Sequence, residues 1–114
     1  MKRAEQRAIN EKVLDIVNGM ADEMREVLYK RGERLRYCTA EVVHGVNGFW
    51  LRSYRTIVAF IPYESSFDKG QTCFDFLRYV YGFTTTSAQH IRKFADDYGN
   101  GKVLSWKFVP SDEN

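Results

Sequence analysis

Cysteine, histidine and long apolar runs are all scarce in this chain, and each scarcity excludes a class of protein. The two cysteines, Cys38 and Cys73, have neither the Cys-x-x-Cys spacing of a zinc site nor the number needed for a disulfide framework, so we expect two buried, reduced thiols. The two histidines, His44 and His90, have no close carboxylate pair beside them, which argues against a metal site. We therefore predict that the protein holds no metal and no cofactor.

Net charge is also small, at +2, so any binding of nucleic acid would depend on local clusters of basic residues. There is no run of about 18 apolar residues that could cross a membrane. The first seven residues are rich in charge and lack the apolar core of a signal peptide. We expect a cytoplasmic protein with no membrane partner.

What the chain does contain is enough apolar material for one folded domain. Aromatic residues make up 15% of its 114 residues, which is too many for a disordered chain, and this length can bury a single core without disulfides or metals. We predict one domain over residues 1–114. It consists of an N-terminal helix (1–31), a sheet plus a helix (35–109) and a polar tail (110–114), and it folds alone or as a small homo-oligomer.

The strongest periodic pattern lies in residues 3–31, where apolar residues recur at steps of three and four. They are Ile9, Val13, Ile16, Val17, Met20, Met24, Val27 and Leu28. This spacing predicts an amphipathic helix. Gly19 falls inside it and costs about 1 kcal/mol relative to alanine, but the apolar stripe keeps its phase across the glycine. We therefore predict one continuous helix.

Two β-rich runs follow, residues 35–46 and 49–61, on either side of Asn47-Gly48. Asn-Gly between such runs is the strongest signal for a two-residue type I′ turn, so we predict a hairpin with Val42 opposite Ser53 and Val43 opposite Arg52. The continuous apolar run from Ile57 to Ile61 is typical of a strand covered on both faces. We expect that strand to be central.

The second half of the chain gives mixed signals. Residues 63–72 are rich in turn formers and predict a surface loop, while residues 72–81 fit both a helix and a strand, with a strand near Tyr79–Phe83 favoured by composition. Thr86 and Gln89 have the spacing of a capping box, which predicts a helix from about Ser87 to Tyr98. Residues 103–109 alternate as a last strand.

Together these patterns predict an α+β fold. A long N-terminal helix packs on a small, mostly antiparallel sheet of three to five strands, with a second helix at about 87–98. We assign a structural role to the start of that second helix, at Thr86, Ser87, Gln89 and His90.

Two stretches resemble a family of short, uncharacterised proteins of phages and bacterial mobile elements. Its members carry a Ser-Tyr-x-Thr-x-Val-Ala strand and, downstream, an aromatic-Ser-x-Thr-Thr-Ser-Arg-His-Ile-x-x-aromatic segment. Matching residues here are Ser53, Tyr54, Thr56, Val58 and Ala59, then Phe83, Thr86, His90, Ile91 and Phe94, with Thr84 and Ser87 as conservative replacements. Ala88 and Gln89 depart from the pattern, and residues 63–78 look like an insertion. The resemblance implies a phage or mobile-element origin, hence a bacterial host cytoplasm, and a small α+β fold; it implies no activity.

Basic residues interleaved with aromatic residues supply the candidate binding site. We select Arg34, Arg36, Arg52, Tyr54, Arg55, Arg92 and Lys93. Arginine beside an aromatic ring on a sheet can neutralise phosphate and stack on bases, and the same composition marks protein interfaces. We expect a small, non-enzymatic phage or mobile-element accessory protein that binds nucleic acid or a host protein.

Two alternatives remain open. One is an inhibitor of a host defence system, similar to an anti-CRISPR protein, that acts through protein–protein contacts. The other is a hydrolytic enzyme that uses His90, which lies close to a run of hydroxyl residues. The sequence places no acid or glycine-rich turn beside His90 to orient a base or to form an oxyanion hole, so we predict no catalytic residue.

Overall fold

The computed structural model describes residues 3–63, 71–77 and 85–106. In this part of the chain three helices pack on a six-stranded sheet. The helices are α1 (Arg3–Gly19), α2 (Ala21–Tyr29) and α3 (Thr85–Tyr98). The strands are β1 (Glu33–Arg34), β2 (Glu41–His44), β3 (Gly48–Ser53), β4 (Thr56–Pro62), β5 (Cys73–Asp75) and β6 (Val103–Ser105).

The strands lie in sequence order across the sheet, and every neighbouring pair is antiparallel except β5 and β6, which are parallel. The α+β fold and the mostly antiparallel sheet are confirmed, with six strands where the sequence predicts three to five. The predicted strand near Tyr79–Phe83, most of the predicted loop and the polar tail lie outside the described residues.

Helices cover the sheet on both faces, because alternate residues of the inner strands are apolar on both sides. Val43, Trp50 and Phe60 pack with α1 and α2, whereas Val42 and Leu51 pack with α3. All five of these side chains are buried. The five residues from Ile57 to Ile61 are likewise all buried, which confirms that their strand is central.

The N-terminal helical segment is interrupted once, so the prediction of one continuous helix is wrong. Met20 leaves helical geometry, with φ −118° and ψ 24°, between α1 and α2. The amide of Met20 still donates to the Ile16 carbonyl (3.0 Å) and Met24 to the Met20 carbonyl (2.9 Å), so the helical path continues across the break. Gly19 is the physical reason, since a glycine weakens the helix at this point.

The first hairpin also differs from its prediction. Val43 lies opposite Trp50 and His44 opposite Phe49, and the Gly45 amide donates to the Gly48 carbonyl at 2.9 Å. The loop residues are therefore Val46 and Asn47, rather than Asn47 and Gly48. Each residue of β2 therefore pairs with a residue two positions earlier than predicted. Because side chains alternate between the two faces of a strand, a shift of two leaves every side chain on its predicted face.

The run 49–61 contains two strands joined by a second tight turn, where the sequence predicts a single strand. Ser53 pairs with Thr56, and the two residues between them, Tyr54 and Arg55, have φ of 51° and 66°. Positive φ at both central residues is the requirement of a type I′ turn, which asparagine and glycine meet more easily than tyrosine and arginine. Composition therefore gives no sign of this turn.

Helix α3 begins at Thr85, two residues before its predicted start. Thr86 then lies inside the first turn, so the predicted N-cap at Thr86 is wrong. The C-terminal end at Tyr98 is as predicted.

The two edges of the sheet are short. Strand β1 has two residues, and the described part of β6 has three. The Gln6 side chain on α1 donates to the Ser105 carbonyl at 2.8 Å, and Gln6 is itself buried. The N-terminal helix therefore covers the β6 edge of the sheet.

In the part of the chain that the structure describes, we looked for a membrane span, a metal site and a disulfide. No described helix has the length and apolar character of a membrane span, and no described group of three histidine, cysteine or acidic residues could hold a metal ion. Both cysteines are free thiols. Cys73 is fully buried and burial raises its pKa, whereas Cys38 is only half-buried and its Sγ donates to the Leu35 carbonyl.

Candidate functional site

Arg52, one of the predicted contact residues, is buried at the C-terminal end of α2. Its side chain is only 9% exposed, and Nη1 donates to the carbonyls of Val27, Leu28 and Lys30 at 2.6–3.1 Å. Nη2 forms an ion pair with Glu41 at 2.9 Å. A cation at the last carbonyls of a helix satisfies acceptors that have no intrahelical donor. Arg52 therefore holds α2 on the sheet.

A cleft of about 460 Å³ lies beside this anchor, and we call it the α2-end cleft. Its lining residues are Leu28, Tyr29, Lys30, Glu41, Arg52 and Arg55. Three of these side chains are cationic and one is a carboxylate, which is already paired with Arg52. Tyr29 is 87% exposed at its rim. The α2-end cleft is thus positive and has an accessible aromatic ring beside it.

Two further predicted residues are held by aspartates on α3. Arg36 makes two hydrogen bonds to the Asp97 carboxylate, at 2.7 and 2.8 Å, and the bond from Arg36 lowers the pKa of Asp97. Arg92 pairs with Asp96 at 2.8 Å, and the hydrogen bond from Arg92 lowers the pKa of Asp96. Their charges are locally compensated, so they are weaker attractors of phosphate than unpaired arginines.

The seven predicted binding residues therefore do not converge on one surface. Arg52 and Arg55 line the α2-end cleft, and Arg34 lies next to it, in register with Glu41 on the neighbouring strand. The Arg36 side chain lies with α3 on the opposite face of the sheet, as do Arg92 and Lys93, which α3 carries. Tyr54 lies on the turn between the two faces, and its ring centroid is 5.8 Å from that of His90.

A buried group of hydroxyl and imidazole side chains connects the β3–β4 turn to α3. The Ser53 Oγ is 2.9 Å from His90 Nδ1 and 3.0 Å from Ser87 Oγ. All three residues are at most 5% exposed. This group therefore ties the β3–β4 turn to the start of α3.

Burial lowers the pKa of His90, and the charge of Lys93 lowers it further. Both effects favour the neutral imidazole over the protonated one in the folded protein. When the proton of a neutral imidazole is on Nε2, Nδ1 accepts a hydrogen bond from Ser53, and Ser53 accepts one from Ser87. In this arrangement the buried side chains satisfy one another, as buried polar groups require.

A second cleft, of about 350 Å³, lies beside this group, and we call it the hydroxyl cleft. It is lined by Ser53, Tyr54, Thr56, Val58, Leu77, Thr86 and Ser87. Val58 and Leu77 are buried apolar residues, Tyr54 is 59% exposed, and hydroxyl groups make up the rest. An apolar cleft with a few convergent polar groups has the general character of a ligand site.

Three contributors to these clefts are not among the seven predicted binding residues. Ser53 lies in a stretch that was singled out, but no local signal pairs it with a histidine 37 residues later. Lys30 belongs to the basic cluster from Lys30 to Arg36, which the sequence does indicate as a possible phosphate contact. Tyr29 carries no signal, because tyrosines at the end of an amphipathic helix are common core residues.

Comparisons with protein-family models, with curated proteins and with solved structures found no match for this chain.

Proposed function

We propose that the protein is a small, non-enzymatic accessory protein that binds nucleic acid through the α2-end cleft. The observation that carries this proposal is the charge of the cleft: three cationic side chains and one carboxylate line it, and because that carboxylate is paired with Arg52, the charges of Lys30 and Arg55 remain in excess. Electrostatic attraction to phosphate supplies most of the affinity of sequence-independent nucleic-acid binding. The phage or mobile-element origin implied by the family resemblance, and a bacterial host cytoplasm as its location, are part of the same proposal.

The residues have different roles in this proposal. Arg55 and Lys30 contact phosphates directly, and the exposed pair of Lys30 with Glu26 is long, at 3.9 Å. Arg52 shapes the cleft but adds no net charge, because Glu41 compensates its guanidinium and the carbonyls of α2 occupy it. Arg34, exposed on β1, supplies a third contact at the side of the cleft. Tyr29 offers a ring on which a base can stack.

Salt dependence tests the proposal directly. Three phosphate contacts give a slope of log K against log [salt] of about −2.7 on duplex DNA and about −2 on a single strand. Fluorescence anisotropy with labelled oligonucleotides at several salt concentrations measures this slope. Replacing Lys30 with glutamine should remove one contact and reduce the slope on duplex DNA by about 0.9.

Lys102→Gln is the matched control. It removes the same charge from an exposed residue just before β6, at the opposite edge of the sheet from β1. We expect it to leave the slope unchanged. Equal effects of the two substitutions would refute a localised site, and an absence of binding at low salt would refute the nucleic-acid proposal. In that case capture of a host protein, a defence protein among the candidates, is the next measurement.

A specific contact favours one further candidate function, hydrolysis. The 2.9 Å distance between Ser53 Oγ and His90 Nδ1 is that of a serine nucleophile and its general base. A fluorophosphonate probe tests this candidate, because it labels an activated serine covalently. Labelling of the protein that is lost in Ser53→Ala and in His90→Gln would favour the enzyme over the binding protein.

A further inference from the structure

Adjacent residues of the β3–β4 turn line the two clefts. Arg55 lines the α2-end cleft, and the preceding residue, Tyr54, lines the hydroxyl cleft. A ligand that crosses the turn can therefore meet the guanidinium of Arg55 on one side and the phenol ring of Tyr54 on the other.

The hydroxyl cleft has the chemistry of a site for a flat, partly polar ring. Its floor is formed by Val58 and Leu77, both buried, and its volume of about 350 Å³ is near the lower limit for ligand pockets. The hydroxyls of Thr56 and Thr86 lie at its wall and make no hydrogen bond to a described residue. A hydroxyl both donates and accepts, so the cleft can pair with the edge of any base.

Tyr54 is held in place to form one wall. Its backbone has positive φ, and its ring lies against His90, which Ser53 in turn fixes by a hydrogen bond. The ring is nevertheless 59% exposed. Residues held in sparsely populated backbone conformations are concentrated at binding sites, and a ring that is already oriented loses little entropy when it binds.

We propose that the hydroxyl cleft binds one unpaired nucleobase of a strand whose phosphates lie along the α2-end cleft. The base stacks on Tyr54, and its edge pairs with the threonine hydroxyls, with little preference among bases. This inference rests on the proposed nucleic-acid function and specifies its ligand as single-stranded nucleic acid with accessible bases.

Paired oligonucleotides separate the base contact from the phosphate contacts. One is a labelled oligothymidylate, and the other has the same length and phosphates but abasic residues throughout. We expect the wild-type protein to bind the abasic strand more than tenfold more weakly, because the bases beside both Tyr54 and Tyr29 are lost. Tyr54→Asn removes one of these contacts, so it should weaken binding of oligothymidylate about tenfold and leave binding of the abasic strand unchanged.

Asparagine is chosen because it tolerates positive φ, so the variant keeps the turn while it loses the ring. Tyr54→Phe keeps the ring and should bind like the wild type. Tyr37→Ala is the matched control, because Tyr37 is fully exposed in the β1–β2 loop and lines neither cleft.

The outcomes distinguish the two proposals. Equal, salt-dependent affinity for both strands would overturn the base site and leave the phosphate site standing. Equal weakening of both strands by Tyr54→Asn would also overturn the base site. Binding of neither strand would overturn both proposals.

Discussion

Arg55 combines an unfavourable backbone conformation with a proposed phosphate contact, so a single substitution should change stability and binding in opposite directions. Its φ of 66° lies in the left-handed region, which costs a residue with a Cβ about 1–2 kcal/mol. Glycine avoids this cost but loses about 0.5–1 kcal/mol more through the entropy of the unfolded chain. We therefore expect Arg55→Gly to stabilise the protein by about 0.5–1 kcal/mol.

Thermal unfolding measures the first effect. For a domain of this size, a gain of that magnitude corresponds to a rise in Tm of roughly 2–6 °C. The second effect is a loss of binding, because the glycine variant lacks the guanidinium at the α2-end cleft. Its slope of log K against log [salt] on duplex DNA should be smaller by about 0.9 than that of the wild type.

Arg55→Ala separates the two causes. It removes the same guanidinium but keeps a Cβ at positive φ, so we expect it to bind like Arg55→Gly without the gain in Tm. Equal Tm values for the alanine and glycine variants would refute the argument from backbone strain. Unchanged nucleic-acid affinity in both variants would refute the assigned contact. The expected opposition of stability and binding is a common property of functional sites.

Four further predictions concern the scaffold. Gly19→Ala should stabilise the protein by about 0.5–1 kcal/mol in denaturant titrations, because an added Cβ there meets nothing within 4 Å; a loss of stability would show that the helix break is needed. Ser53→Ala should cost about 1–2 kcal/mol, because it leaves the buried His90 without its Nδ1 partner, and an unchanged denaturation midpoint would contradict this role. Because the pKa of His90 is lowered in the folded protein, its contribution to stability is fully present above about pH 6.5 and falls as the pH drops below that value. The Tm of the wild type should therefore fall more than that of His90→Gln between pH 7 and pH 5, and parallel curves would contradict this. Thr86→Ala should change the unfolding free energy by less than about 0.5 kcal/mol, because Thr86 is exposed and lies inside the first turn of α3. A loss of about 1 kcal/mol would show instead that Thr86 caps the helix.

The fold was predictable from the sequence to the extent that it depends on periodicity. The apolar stripe of the N-terminal segment and the repeat from Ile91 to Tyr98 identify helices, because burial of one face is a property of local spacing. The turns were less predictable. Tyr54-Arg55 replaces the expected asparagine and glycine in a type I′ turn, and surrounding strand pairing, which is a tertiary effect, stabilises that backbone.

The candidate site was predictable only in parts. Basic and aromatic residues were identifiable by type, but which of the cations are compensated depends on the carboxylates that the fold brings to them. Arg36 pairs with Asp97, which lies 61 residues further along the chain, and no local pattern specifies such a pair. The contact between Ser53 and His90 is similarly remote, so the sequence could identify each residue but not the bond between them.

The outer strands of the sheet are short, and this affects how copies of the protein could associate. An exposed strand presents unpaired amide and carbonyl groups on which another chain can form a new strand, and long flat edges lead to aggregation. Here one outer strand has only two residues, and an amide from Gln6 occupies a carbonyl of the other. Self-association through a continuous intermolecular sheet is therefore disfavoured. Deletion of the first turns of α1 would expose the Ser105 carbonyl, and we expect such a truncated chain to precipitate at concentrations where the full chain stays dispersed.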